Sequence, residues 1–111
     1  MIEHRILSRE VEEFGSSGVS MQFLVARGAP EPESVIVAKI AGGGRLGRHE
    51  SPAWQVFVVI DGLVEVTPGV GDMQILGPGE AVQWEPGELH ESVAVVDSTV
   101  AMIESPQQIP S

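Results

Sequence analysis

The sequence predicts an all-β domain, and three observations carry that expectation. Thirteen glycines and eight prolines are spread through 111 residues, falling between short runs rich in Val and Ile rather than in one linker. No segment keeps a helical spacing of apolar residues for more than about two turns. One Asp-Gly pair, Asp61-Gly62, separates QVFVVI from LVEV and suits the positive φ of a two-residue hairpin turn.

The elements follow in order. Residues 8–14 read as a short helix or an arm, because Ser8 can cap a turn containing Glu10, Glu12 and Glu13 and Gly15 stops it. Strands are expected at 19–27, 34–40, 55–61, 63–67, 72–76, 81–84, 91–96 and 100–104, with those flanking Asp61-Gly62 paired antiparallel. GAPEPES, from Gly28 to Ser34, is a turn-rich connector, Gly42-Gly43-Gly44 a flexible loop, and SPQQIPS a loose tail. In the strand at 55–61, Gln55, Phe57 and Val59 point one way and Trp54, Val56, Val58 and Ile60 the other. Both faces are apolar, so a second layer is expected over this strand, most simply from a homodimer.

Composition narrows the function classes. Six Lys and Arg against sixteen Asp and Glu leave a net charge of -10. That charge opposes contact with a phosphate backbone or an anionic membrane surface. The 42% hydrophobic fraction suffices for one core, and 111 residues are too few for two. No cysteine is present, which excludes disulfides, thiolate nucleophiles and Cys-ligated zinc, and suits a reducing cytoplasm. MIEHRILSREVEEF lacks the apolar run of an export signal. The expected setting is cytoplasmic, with neither nucleic acid nor membrane as partner. GGGRLG is neither a phosphate-binding loop nor a dinucleotide fingerprint, so no nucleotide cofactor is expected. No nucleophile turn accompanies a histidine.

Of three histidines, His49 and His90 each follow a glycine-bearing loop and lead into an expected strand. The surrounding blocks, GGGRLGRHESPAWQ running on to Gly62 and GEAVQWEPGELHES, resemble the paired motifs of the cupins. The first family motif, a glycine, five residues, His-x-His, then Glu and a further glycine, is matched by Gly43, His49, Ser51, Gln55 and Gly62. The second is matched by Gly79, Pro86-Gly87 and His90, with the proline moved one place and Ala94 where asparagine is usual. WEPGELHES also looks like small single-domain bacterial cupins of the conserved-barrel type. The resemblance spans residues 43–93 and implies a double-sheet jelly-roll barrel, with an arm at about 1–18, the barrel at 19–104 and the tail at 105–111.

What the resemblance implies for the site is a divalent metal, zinc, nickel, iron or manganese, held by His49, Gln55 and His90, with a small organic ligand beside it. Ser51 and Gln55 stand where the family has a second histidine and a carboxylate, and both are weaker, neutral donors. Strand parity puts His49, Ser51 and Gln55 on one face. Ser51, Phe57, Arg48 and Glu88 are the expected pocket residues, and Arg45 with Arg48 would suit a carboxylate-bearing ligand or pair with nearby glutamates. Glu50 and Glu91 neighbour the histidines and should point away from the pocket, while Glu85 and Glu88 crowd the same loops. The alternatives are a metal-dependent enzyme of dioxygenase or isomerase type, which needs an open coordination position and a base, and a metal-free dimeric interaction module.

Overall fold

A computed structural model describes residues 1–25 and 34–110. Among the described residues nine strands run in chain order: β1 (Arg9–Val11), β2 (Ser17–Val25), β3 (Ser34–Glu50), β4 (Trp54–Asp61), β5 (Val64–Pro68), β6 (Gln74–Leu76), β7 (Ala81–Trp84), β8 (Leu89–Ala94) and β9 (Ser98–Ser105). The connector at 28–33 and Arg27 lie outside the described residues, as does Ser111. Among the described residues the only helix is a 3₁₀ turn at Glu13–Gly15. None is long and apolar enough to cross a membrane.

β3 organises the fold, since its 17 residues serve two sheets. The first half pairs with β2 and β9, and the second half pairs with β8. The strand order is β6-β5-β8-β3-β9-β4-β7, all antiparallel, with β2 on β3 and β1 on β2. Inward residues of the two halves meet in one core, including Ile40, Val59, Val64, Val66, Ala94 and Val100. This is the jelly-roll barrel that the resemblance implied.

One open alternative is decided here and one expectation is corrected. Residues 8–14 form no α-helix: β1 takes Arg9–Val11, and the turn that follows puts Phe14 at φ 61, in the left-handed region. β4 and β5 do not form a hairpin across Asp61-Gly62, because β4 lies between β7 and β9 while β5 lies between β6 and β8. Gly62 keeps its positive φ of 99, but the turn carries the chain from one sheet to the other. A Cβ on Gly62 would lie 2.2 Å from Ser98 Oγ, whose hydroxyl accepts from Leu63 N. The glycine serves close packing against the Asp97-Ser98 turn.

Smaller differences share one cause, pairing partners distant in sequence. Gly42, Gly43 and Gly44 lie within β3. β8 starts at Leu89, which brings His90 inside a strand. In the tail, Ile109 both donates to and accepts from the Gln83 amide on β7, so the segment is pinned.

Candidate functional site

The barrel wall is built in layers. Cross-strand partners place Ser34, Glu104, Gln55 and Trp84 in one row, and His49 and His90 opposite each other in the facing sheet. Two residues further in lie Ile36, Met102 and Phe57, with Leu46 and Ser92 across from them. All of these but Ser34 and Trp84 line a cavity of about 300 Å³, together with Arg9, Val11, Phe14, Met21 and Phe23. Below it, Ala38, Val59, Val64, Ala94 and Val100 are at most 1% exposed and close the barrel.

His49 enters the cavity through a β-bulge. Leu46 pairs with Ser92 and His49 with His90, so three residues of β3 advance against two of β8. The extra residue turns both Leu46 and His49 inward, although alternation alone would separate them. Gly47, inside the bulge, donates its N–H to Ser16 Oγ, and its carbonyl lies 2.7 Å from His49 Nδ1. A Cβ there would sit 1.6 Å from the Phe14 carbonyl oxygen. Gly47→Ala is therefore expected to displace the 3₁₀ turn, cost about 2 kcal/mol and expose the amides of residues 9–18 to hydrogen exchange. A variant with unchanged exchange there would refute this packing role.

Both imidazoles are held in the same tautomer. His49 Nδ1 lies 2.7 Å from Gly47 O and His90 Nδ1 lies 3.2 Å from Glu88 O, so each Nδ1–H donates to a carbonyl and each Nε2 keeps its lone pair. The rings are 4.5 Å apart between centroids and tilted by 59°. Phe14 stacks on His49 at 4.8 Å and Trp84 on His90 at 4.7 Å, clamping each ring. Burial lowers the pKa of His90 to about 4, the Glu88 carbonyl offsets part of that shift, and the neighbouring His49 adds to it. His90 is neutral at physiological pH.

Gln55 and Glu104 form the opposite wall. Gln55 Nε2 donates to Glu104 Oε2 at 3.0 Å, and Ser34 Oγ donates to Glu104 Oε1 at 2.6 Å. Only an amide NH₂ can face a carboxylate, so Gln55 Oε1 is the end left over, and it is buried without a partner. This contact also accounts for a neutral residue at position 55. A second carboxylate there would face Glu104 within hydrogen-bond distance, and one of the two would have to remain protonated.

The structure brings His49, Gln55, His90 and Phe57 to one cavity. It places Ser51, Arg48 and Glu88 outside that cavity wall. The chain leaves β3 at Glu50, so alternation stops there, and Ser51 Oγ turns back to donate to Ala53 O. Arg48 is exposed, with its guanidinium lying toward Gly69. Glu88 accepts from Glu85 N and faces a separate depression behind Trp84. Arg45 pairs with Glu91 at 3.2 Å on the surface, and Glu50 reaches the cavity rim. A larger depression of about 760 Å³ beside β1 is rimmed by Glu10, Glu12, Asp61 and Asp97 and holds no histidine.

Sequence reading missed Glu104, although the inward run Val100, Met102, Glu104 carried the signal. It also missed Ser92 and Phe14. Among the described residues no three His, Cys, Asp or Glu side chains are placed to hold an ion. Two imidazole Nε2 atoms and an orphaned amide oxygen nevertheless form a donor set that fits a divalent transition metal.

A family model described as a cupin domain matches residues 36–105. The chain is a cupin. KdgF from Halomonas sp. is similar at 26% identity, with a TM-score of 0.74 over 91% of this chain and 88% of that one. A predicted oxalate decarboxylase from Thermotoga maritima superposes with a TM-score of 0.77 at 18% identity, over 95% of this chain and 99% of that one. A cupin-like protein from the same organism gives 0.73 at 20% identity, covering 86% and 80%. The last two likenesses show the cupin fold alone. No curated protein matches this cupin.

Proposed function

We propose that this cupin binds a small organic molecule in its barrel beside a divalent metal held by His49, His90 and Gln55. The observation carrying the reading is the common orientation of the two histidines: both Nδ1–H groups are spent on backbone carbonyls, and both Nε2 lone pairs remain on residues that line one cavity. Gln55 Oε1 is a third donor, and Glu104, bonded to the Gln55 amide, sets its direction. The ion, zinc, nickel, iron or manganese, would supply a Lewis-acidic centre with open positions. The protein orients its donors, keeps His90 neutral and lines the remaining space with apolar side chains.

Metal content measured by mass spectrometry on untagged protein tests this reading. Near-stoichiometric metal in the parent and none in the His49→Ala, His90→Ala double variant is the expected result. Equal metal in both proteins would move the site elsewhere. An enzyme of dioxygenase or isomerase type would need the same ion together with a general base.

A second reading, a dimeric interaction module, has its own observation. The outer face of β4 presents Trp54, Val56 and Val58, with Ile60 56% exposed. Val56 adjoins Ile103, which adjoins Val35, and Val58 adjoins Ala101, which adjoins Val37. An apolar sheet face of this kind favours a partner sheet. Light scattering is expected to give twice the chain mass for the parent and the single mass for Val56→Lys, Ile60→Lys. A monomeric parent would remove this reading.

A further inference from the structure

Ser92 stands apart in the cavity. It lies two residues beyond His90 on β8 and faces inward at 1% exposure, and its Oγ is buried with no hydrogen-bond partner. Its cross-strand neighbours are Leu46 and Val66, and Ile36, Phe57 and Met102 share the cavity floor with it. A lone unpaired hydroxyl among apolar side chains destabilises the fold it sits in. Serine at this place is therefore explained by what it meets when the cavity is filled.

The walls restrict what that is. Of the side-chain donors around the upper layer, His49 Nδ1, His90 Nδ1, Gln55 Nε2 and Ser34 Oγ each bond to a protein acceptor, Arg9 at the rim pairs with Glu13 at 3.4 Å, and Trp84 Nε1 is buried without a partner. The histidines of that layer offer their Nε2 acceptors, or the ion that those would hold. The floor, about 7 Å deeper by strand geometry, offers one neutral hydroxyl and no charge. A carboxylate or ammonium carried to the floor would be desolvated against alkyl groups with only Ser92 to meet it. The volume, about 300 Å³, equals about ten water volumes.

We infer that Ser92 is a specificity-determining residue, and that the ligand is a short neutral molecule with a polar group at each end and an apolar body between. The end near His49 and His90 bonds to their Nε2 atoms or to the ion, and the far end bears a hydroxyl or carbonyl that pairs with Ser92 Oγ. The inference rests on the barrel being a ligand site, and it holds with or without the ion.

The test compares 1,4-butanediol, 1-butanol and succinate as probes, with binding followed by ligand-observed NMR on the full chain. Each is measured with EDTA present and again with added zinc. The parent is expected to bind the diol at least fivefold more tightly than the monoalcohol in both states. Ser92→Ala should erase that preference, because a buried polar partner discriminates strongly against a ligand that lacks its counterpart. In the metal-free state succinate should bind no better than 1-butanol. The melting temperature of Ser92→Ala should equal or exceed that of the parent, whereas a hydroxyl kept for structure would lower it on removal.

Equal affinities for diol and alcohol, no binding of either, unchanged preference in the variant, or a fall in melting temperature of more than about 2 °C would each overturn the inference. Metal content in the same samples reports separately on the ion site. Loss of zinc binding with the diol preference intact defeats the metal reading and leaves Ser92 in its role.

Discussion

Glu104→Ala is expected to cost about 4 kcal/mol, roughly 20 °C in melting temperature for a domain this size. The carboxylate is 2% exposed and accepts from Ser34 Oγ and Gln55 Nε2. Removing it leaves two buried donors facing a void, and each loses a charge-assisted bond that water cannot replace. Gln55 would also lose the partner that orients it, so metal affinity should fall with stability. Glu104→Gln keeps an acceptor for one of the two donors and should fall between parent and alanine variant. Urea denaturation of the three proteins decides the matter: an alanine variant within about 1 kcal/mol of the parent would show that this wall needs no carboxylate.

Acidification is expected to weaken the fold through His90. Its ordinary pKa is 6.5, and in the folded protein burial lowers it to about 4. Between those values the unfolded chain takes up a proton that the folded protein refuses, so stability falls as pH drops from 6.5 to 4. Above 6.5 this group contributes no pH dependence, and below 4 its effect is complete. The whole interval amounts to about 3 kcal/mol. Comparing the parent with His90→Phe, which keeps a ring against Trp84 but cannot titrate, isolates the effect. With a chelator present, the parent should lose about 3 kcal/mol more than the variant between pH 7 and pH 4. Parallel losses would assign the pH dependence to other groups.

Much of the barrel was legible because its signals are local. The Gly and Pro punctuation marked most strand positions, and alternation in β4 separated Gln55, Phe57 and Val59 from the outer face. The two histidines were legible because each stands in a motif of fixed spacing. What local signals do not contain is the choice of partner. Asp61-Gly62 marked a turn, yet which strands lie beside β4 depends on β7 and β9 further along the chain. The bulge at Gly47 was invisible for a related reason. One extra residue exchanges the two faces of a strand, and only the register against β8 reveals it. Parity counted from His49 to Ser51 failed where the chain leaves β3, so a serine expected in the cavity is turned away, while Ser92 on the facing strand is inside. Glu104 could have been found by extending the inward alternation of β9 one step further.

The position of β9 also shapes how the chain reaches this structure. β9 comes after the other eight strands in the sequence, yet it lies between β3 and β4 and, among the described residues, joins them in the sheet. Until residues 98–105 arrive, both strands expose the edges that β9 will occupy. Topologies with such distant pairings fold slowly, in milliseconds to seconds. During synthesis the nascent chain must hold those edges of β3 and β4 unpaired until residues 98–105 have been made, a state prone to aggregation. The strand that completes the sheet also delivers Glu104, so closure of the barrel and assembly of the cavity wall are a single late event.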